Sequence, residues 1–156
     1  MFQIRKATED DASLIFDLIT KLAVFEKMQN EVVTSVEELR VNIFEKKFAH
    51  VIIGEEDGIP AGFALYFYNF STFVGKPGLY LEDLYVEPEH RGKGYGKTLL
   101  IELTKIAKAE NCGRMEWSVL NWNQPAIDFY ESLSAKPMNE WTVYRLDGKG
   151  IADLAG

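Results

Sequence analysis

The stretch HRGKGYGKTLL, residues 90–100, sets the glycines Gly92, Gly94 and Gly96 and the cations Arg91, Lys93 and Lys97 in front of an apolar run. Residues of these types suit one task, which is to hold phosphate on backbone amides where a helix begins and its dipole favours negative charge. Spacing decides which phosphate. A nucleotide P-loop requires glycine five positions ahead of its Gly-Lys-Thr ending, and Arg91 occupies that place before Gly96, Lys97 and Thr98. A dinucleotide fingerprint requires Gly-x-Gly-x-x-Gly, and Lys97 stands where its third glycine would be. What remains is Arg91-x-x-Gly94-x-Gly96, a loop whose amides can close around a diphosphate.

Other reactive types are sparse. Cys112 is the single cysteine and has no histidine near it in sequence, so it reads as a buried structural thiol rather than a nucleophile. It cannot form an intrachain disulfide, and it leaves no cysteine-based zinc site. His50 and His90 are the two histidines, and His90 adjoins the glycine loop. Glu82 and Asp83 interrupt the apolar run LYLEDLYV, where a carboxylate is costly to bury without a partner. Two readings stay open for Glu82: a general base, or a strand-edge carboxylate paired with a lysine.

The chain of 156 residues fits one domain, residues 1–156, and can bury roughly two-thirds of its unfolded surface. Its 47% hydrophobic and 13% aromatic content marks a folded globular protein. No apolar run approaches a membrane span and the N-terminus lacks a signal-peptide pattern, so the expected place is the cytoplasm. The net charge is −7 and no basic arm is present, which disfavours nucleic acid and favours a cationic small molecule. A basic loop in an acidic chain suggests an anionic cofactor and a cationic substrate.

These residues need elements to hold them. FQIRKA alternates as a strand, and TEDDASLIFDLITKLAVF opens with a Thr-x-x-Asp cap and continues at helical spacing. SVEELRVNIFEKK is a second helix with Ser35 as its cap. FAHVIIGEED and IPAGFALYFYNF form a hairpin through Asp57 and Gly58. GLYLEDLYVEP is a strand, and GKTLLIELTKIAKAE is a helix with one apolar stripe. RMEWSVL is a strand, NQPAIDFYESL a short helix with Pro125 in its first turn, and EWTVYRLD a last strand. The tail GKGIADLAG, residues 148–156, has little to bury and is expected to be loose or to reach a partner subunit. The sum is an α+β fold in a single domain, with a mixed, mostly antiparallel central sheet and helices on both faces.

The order YLEDLYV, Arg-Gly-x-Gly-x-Gly, helix, strand, NWNQPAIDFYESLSA resembles the GNAT superfamily of acyl-CoA-dependent N-acyltransferases over nearly the whole chain. Within it, LYLEDLYVEPEHRGKGYG, WNQPAIDFY and the late Trp141 are similar to the diamine (spermidine/spermine) acetyltransferases and their thialysine acetyltransferase relatives. The resemblance implies acetyl-CoA as co-substrate, with its diphosphate on Arg91, Gly92, Lys93, Gly94, Tyr95, Gly96 and Lys97. It places the pantetheine arm along Leu84, Tyr85 and Val86, beside a splay between neighbouring strands. It adds Asn123, Pro125 and Ala126 on the coenzyme's far side and Tyr130 beside its sulfur.

The same resemblance implies direct transfer to an amine. Tyr130 stands where the family keeps the acid for the departing thiolate, although a tyrosine packed beside Phe129 and Ile127 is the alternative. Glu82 matches the acid assigned as base, acting through a water. Acceptor contacts map onto Phe25, Glu26, Glu31, Glu82, Asp83, Glu116, Trp117, Ser118 and Trp141, the last offering a cation–π face. FEKM and VLNWNQ are more similar to the thialysine branch, which favours a short diamine, thialysine or lysine-like amine over a long polycation. Acetylation of a protein or peptide amine, and a non-catalytic acyl-CoA sensor, are the competing functions. A homodimer without metal, nucleic acid or membrane contact completes the expectation.

Overall fold

The alternation and caps in the sequence become a sheet with helices in a computed structural model that describes all 156 residues. In chain order the elements are β1 (Phe2–Lys6), α1 (Ala12–Phe25), α2 (Val36–Arg40), β2 (His50–Glu56), β3 (Ile59–Ser71), β4 (Lys76–Val86), α3 (Tyr95–Ala109), β5 (Arg114–Trp117), α4 (Gln124–Ser132) and α5 (Gly148–Ala155). The strands lie in the order β1-β2-β3-β4-β5. All neighbours are antiparallel except β4 and β5, which α3 connects as a parallel pair. The fold is α+β with a mixed, mostly antiparallel sheet, as the sequence predicts.

Local chemistry explains the boundaries. Asp11 accepts from the Thr8 amide at 2.7 Å and from both terminal guanidinium nitrogens of Arg5 at 2.7 and 2.8 Å, which fixes the entry to α1 against β1. Ser35 accepts from the Glu38 amide at 3.1 Å and opens α2, which widens into a π-helical turn over Val41–Glu45. Asp57 and Gly58 have φ of 52° and 81°, the paired positive values of the turn that matches the twist of a two-residue hairpin.

The chain forms two compact units, Met1–Ser118 and Val119–Gly156. In the first, α1 covers one face of the sheet, where Ile15, Leu18 and Leu22 meet Val51, Ile53, Phe63, Leu65 and Tyr85. Helix α3 packs on the other face with Leu99, Leu100 and Leu103 buried. A buried Glu87 just past β4 accepts from Lys21 of α1 at 2.7 Å, pinning the end of that helix beside the end of that strand.

The second unit holds α4 and α5 and corrects one expectation. EWTVYRLD forms no strand: residues 141–147 carry no ladder, and Val143 and Tyr144 are 81% and 94% exposed. Alternation supplies side chains for two faces, but a strand also needs a neighbouring backbone, and none pairs with this one. The tail, expected to be loose or to reach a partner subunit, forms α5, where Asp147 accepts from the Gly150 amide at 2.8 Å and Lys149 pairs with Asp153 at 2.6 Å.

Candidate active site

Strand β4 changes character at Glu82. Tyr66 stands opposite Leu81 and Leu65 opposite Asp83, so Glu82 is an extra residue, a β-bulge. The bulge resets the alternation: Leu81 faces α3 with Tyr66, whereas Asp83 and Tyr85 face α1 with Leu65. At the same point β4 loses its other neighbour, because the parallel ladder to β5 ends at Leu81 opposite Trp117. Beyond it Glu82–Val86 have no second ladder partner, and of their carbonyls that of Val86 accepts from Arg91. An extended amide-bearing arm can add to such an edge as a further strand would.

The glycine loop follows directly. Gly92 and Gly94 have φ of 81° and 80°, a left-handed backbone that glycine adopts without strain. A Cβ at either would meet nothing within 4 Å, so the loop faces open space. Thr98 is the first amide to close a bond into α3, to the Gly94 carbonyl at 3.0 Å, and the amides of Gly94 to Lys97 precede the helical ladder. This cradle fits a diphosphate. The side chains are arranged differently from the simple basic island of the sequence. Arg91 donates through Nε to the Val86 carbonyl at 2.8 Å and lies over the rings of Phe25 and Tyr85, 5.0 and 5.4 Å from their centroids. Lys93 is engaged by Glu56, and Lys97 is exposed.

On the α1 face three carboxylates come together. Asp83 is pushed up to about 7, first by burial and then by Glu82 and Glu26. Glu26, at the C-terminal cap of α1, is likewise raised by burial and by Glu82. Burial and the neighbouring carboxylates both raise these two groups, so a cation entering here would favour their ionised forms.

The other sequence candidates lie on separate elements of the two units. Glu116 pairs with Arg114 at 3.2 Å on β5, and Ser118 shares a 2.8 Å hydrogen bond with the Tyr80 hydroxyl. Trp117 closes the β4–β5 ladder, and Glu31 lies in a short helical turn over Gln29–Glu31. In the second unit Asn123 caps α4 by accepting from the Ala126 amide at 3.4 Å, with Pro125 in the first turn. Tyr130 is half-buried on α4, its ring 5.6 Å from that of Phe129, and Trp141 is 76% exposed. The Cys112 thiol is pushed up by burial and by Glu110, the opposite of an activated nucleophile. Sequence reasoning missed Glu56, whose contacts with the loop run between residues more than thirty positions apart and leave no local signal.

A glycine loop with unpaired amides at the start of a helix, a strand segment without a second neighbour leading into it, and a group of carboxylates on the same strand suit an acyltransferase that takes its acyl group from coenzyme A. The model of the acetyltransferase (GNAT) family matches residues 17–134, and the chain belongs to that family. It is an acetyl-CoA-dependent N-acetyltransferase. A thialysine N-epsilon-acetyltransferase of Caenorhabditis elegans is 39% identical over 99% of this chain and 97% of its own. One from Bos taurus is 36% identical over 98% and 96%. Among solved structures, an integron cassette protein of V. cholerae superposes with a TM-score of 0.82 at 28% identity, covering 99% of this chain and 97% of that one. No helix is long and apolar enough to cross a membrane.

Proposed function

We propose that the acetyl acceptor is the primary amine of a small cationic molecule: a short diamine, thialysine or a lysine-like amine. The observation that carries this reading is the convergence of Glu26, Glu82 and Asp83 at the bulge of β4, where burial and mutual repulsion raise Glu26 and Asp83. A cation that arrives with the substrate stabilises the ionised forms of carboxyl groups held this close together. The names of the C. elegans and Bos taurus relatives, thialysine N-epsilon-acetyltransferases, support an amine at the end of a short chain.

In this reading the amides of Gly92 to Lys97 hold the diphosphate of acetyl-CoA, and the open edge at Leu84–Val86 takes its pantetheine arm. Asp83 and Glu26 bind the ammonium. Glu82 removes its proton through a water, so that the amine lone pair can attack the thioester carbonyl. The new C–N bond forms as the C–S bond breaks, Tyr130 supplies a proton to the departing thiolate, and the second proton lost from the acylated nitrogen restores the Tyr130 phenol through solvent. No acyl-enzyme is needed. A cytoplasmic homodimer belongs to the same proposal.

A thiol-release assay with acetyl-CoA across putrescine, spermidine, spermine, thialysine, lysine and basic peptides tests it. Turnover is expected with the short amines. Transfer to peptides alone would overturn the small-amine reading.

A further inference from the structure

Glu56, the last residue of β2, receives the glycine loop's side chains. The Tyr95 hydroxyl donates to its Oε1 at 2.5 Å, and Lys93 Nζ lies 3.2 and 3.0 Å from Oε1 and Oε2. His90 Nδ1 lies 2.8 Å from Oε2, and since a carboxylate only accepts, that nitrogen carries the hydrogen. Tyr95 is backed by Phe2 of β1, the two rings stacked with centroids 3.9 Å apart and 8° between planes. Together these bonds hold Glu56 well below the ordinary carboxylate range, with Tyr95 the largest cause.

The charge is the wrong sign for the site. A carboxylate beside a loop that binds a diphosphate repels the ligand and neutralises Lys93, so charge complementarity alone would exclude it. What it supplies is geometry. His90, Lys93 and Tyr95 bracket Gly92 and Gly94, the two residues with the greatest backbone freedom in the loop. One acceptor tied to three points of this segment removes that freedom before the ligand arrives, and pre-ordering lowers the cost of binding.

We propose that Glu56 is a positioning residue for the coenzyme's diphosphate: by gripping His90, Lys93 and Tyr95 it sets the backbone of Gly92 to Gly96 in its receiving shape. The proposal rests on the assignment of this loop to the diphosphate. Calorimetric titration of the full chain with CoA and with pantetheine, which lacks the diphosphate, tests both. Glu56→Gln removes the charge, and Glu56→Asp keeps the charge but shortens the reach. Both are expected to weaken CoA roughly tenfold, the scale of one charge-assisted hydrogen bond, and to leave pantetheine unchanged.

A pure charge effect predicts the reverse for Glu56→Gln, tighter CoA binding, and that result would overturn the proposal. So would unchanged CoA affinity in both variants, or an equal loss of CoA and pantetheine, which marks general damage. If the unaltered protein binds pantetheine as tightly as CoA, the diphosphate assignment itself fails and the role of Glu56 falls with it.

Discussion

Asp83 stands opposite Leu65 across the β3–β4 ladder, which puts a carboxyl group in register with a core residue beneath α1. Burial there, with Glu82 and Glu26 nearby, raises it from 3.8 to about 7. The folded chain thus holds this proton more tightly than the unfolded chain does, so stability is greatest below pH 4 for this group and declines as pH rises towards 7. Above that, the ionised carboxylate costs on the order of a few kcal/mol. Asp83→Asn is expected to raise Tm by several degrees at pH 8 and to leave it nearly unchanged at pH 4. A Tm difference independent of pH would show that Asp83 is not held protonated.

The same carboxyl should report on substrate. An ammonium bound beside Asp83 favours its ionised form, so amine binding between pH 5 and pH 7 expels a proton. Titration of the preferred amine in two buffers of different ionisation enthalpy should give heats that differ, and Asp83→Asn should remove the difference. Equal heats in the unaltered protein would place the ammonium elsewhere.

Much of this arrangement was legible in the sequence because it is local. The Asp57-Gly58 turn, the Ser35 cap and the Arg91-x-x-Gly94-x-Gly96 spacing each lie within a few residues, and each appears in the structure where its pattern puts it. The bulge at Glu82 was not legible: simple alternation groups Glu82 with Leu84, and only the register against Leu65 and Tyr66 shows that Glu82 is supernumerary. Glu56 was hidden for another reason, since its partners converge on it through the sheet. The alternating segment before Asp147 misled because strand pattern describes side chains, whereas a ladder depends on a neighbouring backbone.

Gly94 carries φ of 80° with no neighbour within 4 Å of a Cβ built there, so a side chain at this position is opposed by backbone strain and not by crowding. Gly94→Val should cost ~1–3 kcal/mol of stability and also weaken CoA binding. Gly75→Val, at φ of 73° in the β3–β4 turn, serves as control: it should destabilise similarly while CoA affinity stays intact. Equal CoA affinity in both variants would move the diphosphate away from the loop.

The roles proposed for Glu82 and Tyr130 are separable, because the two substitutions read out different protons. Glu82→Gln keeps size and removes the base, so kcat should fall roughly 10²-fold with CoA affinity unchanged. Tyr130→Phe keeps the ring beside Phe129 and removes the hydroxyl, so its loss should depend on the leaving group. With acetyl-CoA, whose thiolate needs a proton, turnover should drop roughly tenfold or more. With an acetyl thioester of a more acidic thiol, which departs without help, the Phe variant should recover most of that loss while the Gln variant does not. An equal deficit for Tyr130→Phe with both donors would leave Tyr130 a packing residue of α4.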